Sequence, residues 1–184
     1  TIGNASTSEG LFWESLNAAG VLQVPLLLCI WDDEYGISVP NAHQMVKADL
    51  SKILSGFQKE GEGSGIRIYT VKGYNYKELI ATFAKATDEC RRLHIPCVVH
   101  VTHLTQPQGH STSGSHERYK SKERLSYEQE IDGLEKMRQW LIQEGYATHG
   151  ELVALDKTAK AFAIKAKDEA WQRAMFGGLK RTFL

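Results

Sequence analysis

The sequence predicts an α/β fold: a three-layer sandwich with a mainly parallel sheet, finished by helices at its C-terminal end. Three observations point there. The apolar run at 26–31 is too continuous to be half exposed, which is how a strand covered on both faces of a parallel sheet reads, and 66–71 and 96–102 read as further strands. Stretches of helical periodicity at 7–23 and 76–93 alternate with them. Polar, glycine-bearing stretches follow two of the strands, at 32–36 and 103–125.

Taken in order, Thr1-Ile2-Gly3 reads as the end of a strand running into a turn, so the chain is expected to be a fragment. The expectation is one domain over 1–184 that lacks its N-terminal part. Ser6 and Glu9 have the spacing of a capping box, and Leu11, Phe12, Ser15, Leu16, Ala19 and Leu22 follow at helical intervals. Pro25 then opens the first long strand. A charged passage at 45–58 reads as helix and 59–65 as a Glu- and Gly-rich loop. Strand 66–71, helix 76–93 and strand 96–102 follow. The loop from His103 to about Leu125 is long enough to be functional or mobile. Helices are expected at 127–144 and, behind a Thr148/Glu151 capping box, at 151–174, within a C-terminal helical segment of about 126–175.

Composition removes several function classes. Of 184 residues, 42% are hydrophobic and 24% charged, and 22 Lys plus Arg balance 22 Asp plus Glu. No net field exists to hold nucleic acid or an anionic membrane. The longest apolar run, 24–31, is far short of a bilayer span. Cys29, Cys90 and Cys97 lack metal-type spacing and read as buried free thiols, which suggests a reducing, cytoplasmic compartment.

The chemistry is expected where strands end. In open α/β sheets ligands sit outside the carboxyl ends of strands, and a nearby helix start attracts phosphate. Asn4 precedes the first helix, and Asp33 follows the next strand. Magnesium takes hard oxygens, several of them often from a diphosphate, so Asn4, Asp33 and the carbonyl of Tyr35 could complete its shell. Taken singly, these residues are ordinary turn formers.

Taken jointly they carry a resemblance. Gly3-Asn4-Ala5-Ser6-Thr7-Ser8-Glu9-Gly10, continued by Glu14-Ser15-Leu16-Asn17-Ala18-Ala19 and closed by Asp32-Asp33-Glu34-Tyr35-Gly36-Ile37-Ser38-Val39-Pro40, resembles the magnesium and thiamine-diphosphate motif of 2-oxo acid dehydrogenase E1 components. The family's Asp is Asn4 here, its second Gly is Ala5, and its two Asn are Asp32 and Asp33. One carboxylate and one amide therefore remain as ligands, at unchanged charge. Asp32 adds a negative charge that should weaken diphosphate binding unless it points away or finds a cation.

Gly109-His110-Ser111-Thr112-Ser113, leading to Arg118-Tyr119, looks like the Gly-His-Ser loop of the E1 alpha chains, more like the branched-chain form. The family's preceding Thr-Tyr-Arg is Leu104-Thr105-Gln106 here, so a planar cation is missing. His103, His110 and His116 are too widely spaced for zinc. The basic run 118–124 reads as a solvated loop and helix start, with a surface for an acidic lipoyl domain as a second reading.

The resemblance implies a thiamine-diphosphate-binding fold, with thiamine diphosphate and Mg2+ as cofactors. It implies Asn4, Asp33 and the Tyr35 carbonyl at the metal, Gly3, Asn4, Ala5, Ser6, Ile37, Ser38 and His110 at the cofactor, and His110 as the catalytic residue. It implies oxidative decarboxylation of a 2-oxo acid of the 2-oxoisovalerate type, or pyruvate, with acyl transfer to lipoyl. Partners would be an E1 beta-type domain or chain and the lipoyl domain of E2, in a dimer or heterotetramer. The isolated chain is expected to be inactive, because the glutamate that activates the cofactor lies elsewhere in this family. A transketolase-like or acetoin-cleaving relative, or a degenerate non-catalytic assembly domain, are the alternatives.

Overall fold

The computed structural model describes residues 1–110 and 115–177. In chain order the elements are β1 (Ile2–Gly3), α1 (Gly10–Leu22), β2 (Leu27–Trp31), β3 (Tyr35–Gly36), β4 (Val39–Pro40), α2 (Asn41–Gln44), α3 (Leu50–Leu54), β5 (Arg67–Lys72), α4 (Tyr76–Leu93), β6 (Cys97–Thr102), α5 (Lys122–Glu130), α6 (Gly133–Gln143) and α7 (His149–Gln172). The chain divides into two compact units, Thr1–Met137 and Arg138–Leu184.

In the first unit β1, β2, β6 and β5 lie in that order in one sheet, all parallel. Side chains alternate between its faces, as the pleat requires. Ile30, Ile66 and Val98 pack with Phe12 and Leu16 of α1 and Leu50 and Leu54 of α3. Cys29, Val71, Cys97, Val99 and Val101 pack on the opposite face with Ala86 and Cys90 of α4. Helices therefore cover both faces, giving the three layers predicted. All three cysteines are free and buried, and burial pushes the Cys29 thiol up to about 11 and the Cys97 thiol up to about 12. They behave as small hydrophobes.

Helix α4 matches its predicted bounds because local signals fix both ends. The Asn75 side chain accepts from Glu78 N–H at the start, and His94, in the left-handed region at φ 56°, stops it. Three other expectations are corrected. Helix α1 begins at Gly10, not near Thr7: residues 4–8 wind into a 3-10 turn in which Thr7 Oγ1 donates to the Asn4 carbonyl at 2.6 Å, and Ser6 makes no cap. The stretch 45–58 is broken, because Lys47 and Ala48 have φ of 64° and 50° and Asp49 caps a fresh start through Lys52 N–H. The stretch 127–144 is two helices: α5 starts early behind the Ser121 cap, and Asp132 caps α6 through Glu135 N–H at 2.9 Å. The small antiparallel hairpin of β3 and β4 was not expected.

Gly65 closes the loop before β5 at φ 139°, and a Cβ there would lie 2.8 Å from the Lys59 backbone nitrogen and 2.9 Å from the Phe57 carbonyl oxygen. Both are backbone atoms that cannot swing aside. Gly65→Ala is expected to cost about 2–3 kcal/mol of stability. Urea unfolding checks this; a loss below about 0.5 kcal/mol would show that the loop relaxes freely.

In the second unit α7 carries the capping box read from the sequence, Thr148 and Glu151 each bonding the other's backbone N–H. Arg138 pairs with Asp156 at 2.6 Å, and Trp140 packs against Tyr146 at a tilt of 52° with centroids 5.5 Å apart. No helix among the described residues is long and apolar enough to cross a membrane.

Candidate active site

A cavity of about 650 Å³ opens at the carboxyl ends of β1, β2 and β6, in the range of small-molecule sites. Gly3, Asn4, Ala5 and Ser6 line it from the 3-10 turn and its approach. Asp33, Tyr35 and Ile37 line it from the segment after β2, and His110 from the loop after β6. Three segments far apart in sequence are joined there because β1 pairs with β2, and β2 with β6. Ser38 is exposed and is not part of the lining. Gln106 does line it, its amide only 3.5 Å from the Gly109 carbonyl. Ser111, which follows His110, lies outside the described residues, as do positions 112–114.

The turn after β2 is strained. Glu34 has φ of 70° and Ile37, a β-branched residue, has φ of 60°. Such backbone costs about 1–3 kcal/mol per residue and persists only where surroundings enforce it. It aims the two acids of the Asp pair differently. Asp33 faces the cavity with one carboxylate oxygen taking Tyr35 N–H at 3.2 Å. Burial raises its pKa, against the opposing pull of that hydrogen bond and of the Lys120 charge.

Asp32 turns inward. It is 3% exposed, and its Oδ2 lies 2.8 Å from His100 Nε2 while Oδ1 accepts from Glu34 N–H at 2.7 Å and from Asn41 Nδ2 at 3.0 Å. Burial alone would raise its pKa, but the hydrogen bonds from His100, Glu34 and Asn41 together hold it below the ordinary value. The added charge thus points away from the cavity and has its own partners. The chain of contacts continues on both sides. Ser51 Oγ is 2.7 Å from His100 Nδ1 and 2.7 Å from Thr70 Oγ1, while Asn4 Nδ2 donates to Asn41 Oδ1 at 2.8 Å and to the Tyr35 carbonyl at 3.0 Å. Sequence reading passed over Asn41, Ser51 and His100. The available signal was His100 itself, a polar residue inside the apolar run Val98-Val99-His100-Val101, which must find a buried partner.

The basic run after the His110 loop is not simply solvated. Lys120 is buried, its ammonium 2.8 Å from Glu128 and 4.9 Å from the centre of the Tyr35 ring. Arg124 is half-buried, bonds the Asp33 carbonyl at 3.0 Å, and pairs with Glu34 and, at 2.7 Å, with Glu128. Tyr119 packs on Tyr35 with centroids 5.7 Å apart and hydrogen-bonds the His110 backbone. The start of α5 is therefore strapped onto the turn that carries Asp33. Lys122 remains exposed.

No group of three His, Cys, Asp or Glu side chains among the described residues is placed to share a metal ion. The cavity offers a different donor set: the Asp33 carboxylate, the Asn4 amide oxygen, which takes no hydrogen bond among the described residues, and the Tyr35 carbonyl, whose second lone pair is free of Asn4. One carboxylate, one amide and one carbonyl suit a hard divalent cation that takes its remaining oxygens from a diphosphate.

The chain is similar to known proteins along most of its length. The chain is 25% identical over 159 residues to the pyruvate dehydrogenase E1 component subunit alpha of Rickettsia prowazekii (strain Madrid E), covering 86% of this chain and 46% of that protein. It is 25% identical over 170 residues to the protein of that name from Rhizobium meliloti (strain 1021), covering 91% and 46%. It is 28% identical over 169 residues to the Arabidopsis thaliana 2-oxoisovalerate dehydrogenase subunit alpha 2, mitochondrial, covering 91% and 32%. The chain thus spans half or less of the length of these relatives. The model of the dehydrogenase E1 component family matches residues 1–176, from the 3-10 turn at the cavity through α7, and the chain belongs to that family.

Proposed function

We propose that this chain forms the metal- and diphosphate-binding side of the active site of a thiamine-diphosphate-dependent 2-oxo acid dehydrogenase E1. The observation that carries the reading is the convergence of Asn4, Asp33, Tyr35 and His110 on one cavity at the carboxyl edge of a parallel sheet. Asp33, Asn4 and the Tyr35 carbonyl would hold Mg2+ and, through it, the diphosphate. Gly3, Ala5 and Ser6 would shape the floor beneath the diphosphate, and Ile37 would supply apolar surface beside it. Thiamine diphosphate, when bound, supplies the carbanion chemistry by which a 2-oxo acid loses carbon dioxide. His110, exposed and lining the cavity, would hold or relay a proton beside the cofactor. The substrate would be pyruvate or a branched 2-oxo acid, the acyl acceptor a lipoyl domain of E2, and the rest of the pocket an E1 beta-type domain or chain. The compartment would be reducing, cytoplasm or an equivalent, in keeping with three free buried thiols.

Calorimetric titration of the intact protein with thiamine diphosphate and Mg2+ tests the reading. Magnesium-dependent binding is expected, and Asp33→Ala should weaken it by about 100-fold, since it deletes the only carboxylate of the proposed set. Absence of binding in the parent protein would favour the assembly role instead. Turnover with pyruvate, 2-oxoisovalerate and 2-oxoglutarate then assigns the substrate.

A further inference from the structure

We propose that Asn41 is a positioning residue for the cation site: relayed from Asp32, it fixes the Asn4 amide with its oxygen free for the metal. The inference rests on the cation reading above and adds a residue to it.

The argument is one of donor and acceptor polarity. Asp32 Oδ1 accepts the Glu34 backbone N–H at 2.7 Å, so it is an acceptor whatever else surrounds it. Asn41 meets that same oxygen at 3.0 Å, and only its nitrogen can do so; its amide oxygen would set acceptor against acceptor. The Asn41 oxygen is thereby turned toward Asn4. There it takes Asn4 Nδ2 at 2.8 Å, and the same nitrogen donates to the Tyr35 carbonyl at 3.0 Å. Both protons of the Asn4 amide are used, and its oxygen is left to the cavity that Asn4 lines. Asn4, Asn41 and Asp32 are 4%, 4% and 3% exposed, so water has little access to reverse the order. The inner end is fixed as well, by His100 at 2.8 Å and by Ser51 behind it.

The relay states what position 4 tolerates. A carboxylate there would oppose both the Asn41 oxygen and the Tyr35 carbonyl, although it would bring more charge to a cation.

The test is Mg2+ titration of the intact protein at saturating thiamine diphosphate, with thermal unfolding of the cofactor-free protein alongside. Asn41→Ala removes the acceptor that holds Asn4 and should weaken Mg2+ binding about tenfold. Asn4→Asp should bind Mg2+ more weakly than the parent and melt lower without it. If Asn41→Ala does not fold, Asn4→Asp still decides. Parent-like binding by folded Asn41→Ala or tighter binding by Asn4→Asp overturns the relay. A parent protein that fails to bind Mg2+ and thiamine diphosphate overturns the cation reading and the relay with it, whereas any of the former outcomes with a binding parent overturns the relay alone.

Discussion

Replacing Asp32 by alanine is expected to cost about 3–5 kcal/mol of stability, although the residue touches no proposed ligand. The substitution strips a partner from His100 Nε2, Asn41 Nδ2 and Glu34 N–H at once, in a place only 3% exposed. Unmet buried donors cost about 1–3 kcal/mol each, and some of this will be recovered by an entering water. Asp32→Asn should cost less than about 1 kcal/mol. Its oxygen can still accept from Glu34 and Asn41, and its nitrogen can donate to His100, whose other ring nitrogen then donates to Ser51. Equilibrium denaturation of the two variants checks the contrast. Equal losses would mean that charge, not hydrogen-bond matching, governs the position.

Lys120→Met is expected to lower stability by about 3 kcal/mol, because a buried ion pair broken on one side leaves its other half stranded. Glu128 is 6% exposed and among the described residues would retain only Arg124, while the contacts of the Lys120 ammonium with the Tyr35 and Tyr119 rings would also go. In Lys120→Met/Glu128→Leu the stranded charge is removed too, and Arg124 keeps Glu34 and the Asp33 carbonyl. That double variant should come within about 1 kcal/mol of the parent. A double-mutant cycle measures the difference directly, and a double variant weaker than Lys120→Met by itself would contradict the argument. The outcome bears on the site, since the same pair holds α5 against the turn that carries Asp33.

Much of the fold was legible because its signals are local. The continuous apolar strands need only be buried to be recognised, and Asn75 and Thr148 announce their helices by side-chain chemistry with the residues that follow. Where the sequence misled, a second local signal had been overlooked: Asp49 and Asp132 are caps inside stretches that read as continuous helix. Ser6 shows the reverse, a capping pattern that goes unused because the Asn4 carbonyl takes Thr7 and the segment winds too tightly.

At the site, the family resemblance was enough to group Asn4 with Asp33 and to add His110, and these residues do share a cavity. That they belong together was therefore a property of the sequence. The directions of the side chains were not. Adjacent residues such as Asp32 and Asp33 face opposite ways, but which of them meets the cavity depends on what lies behind the sheet. Here His100 waits one strand away, beside Ile30 and Thr70 in register, with Ser51 of α3 above it. A buried carboxylate goes where its hydrogen bonds are, and those donors come from β6, from α2 and from the turn itself. The acid that looked like a liability to diphosphate is for that reason the anchor of the inner network, and Lys120, which looked like a solvated charge, lies under the same turn. The sequence by itself determined the layers and which residues line the cavity; tertiary structure alone decided which polar atoms face the cavity and which face each other, because a hydrogen bond between strands has no trace in sequence order.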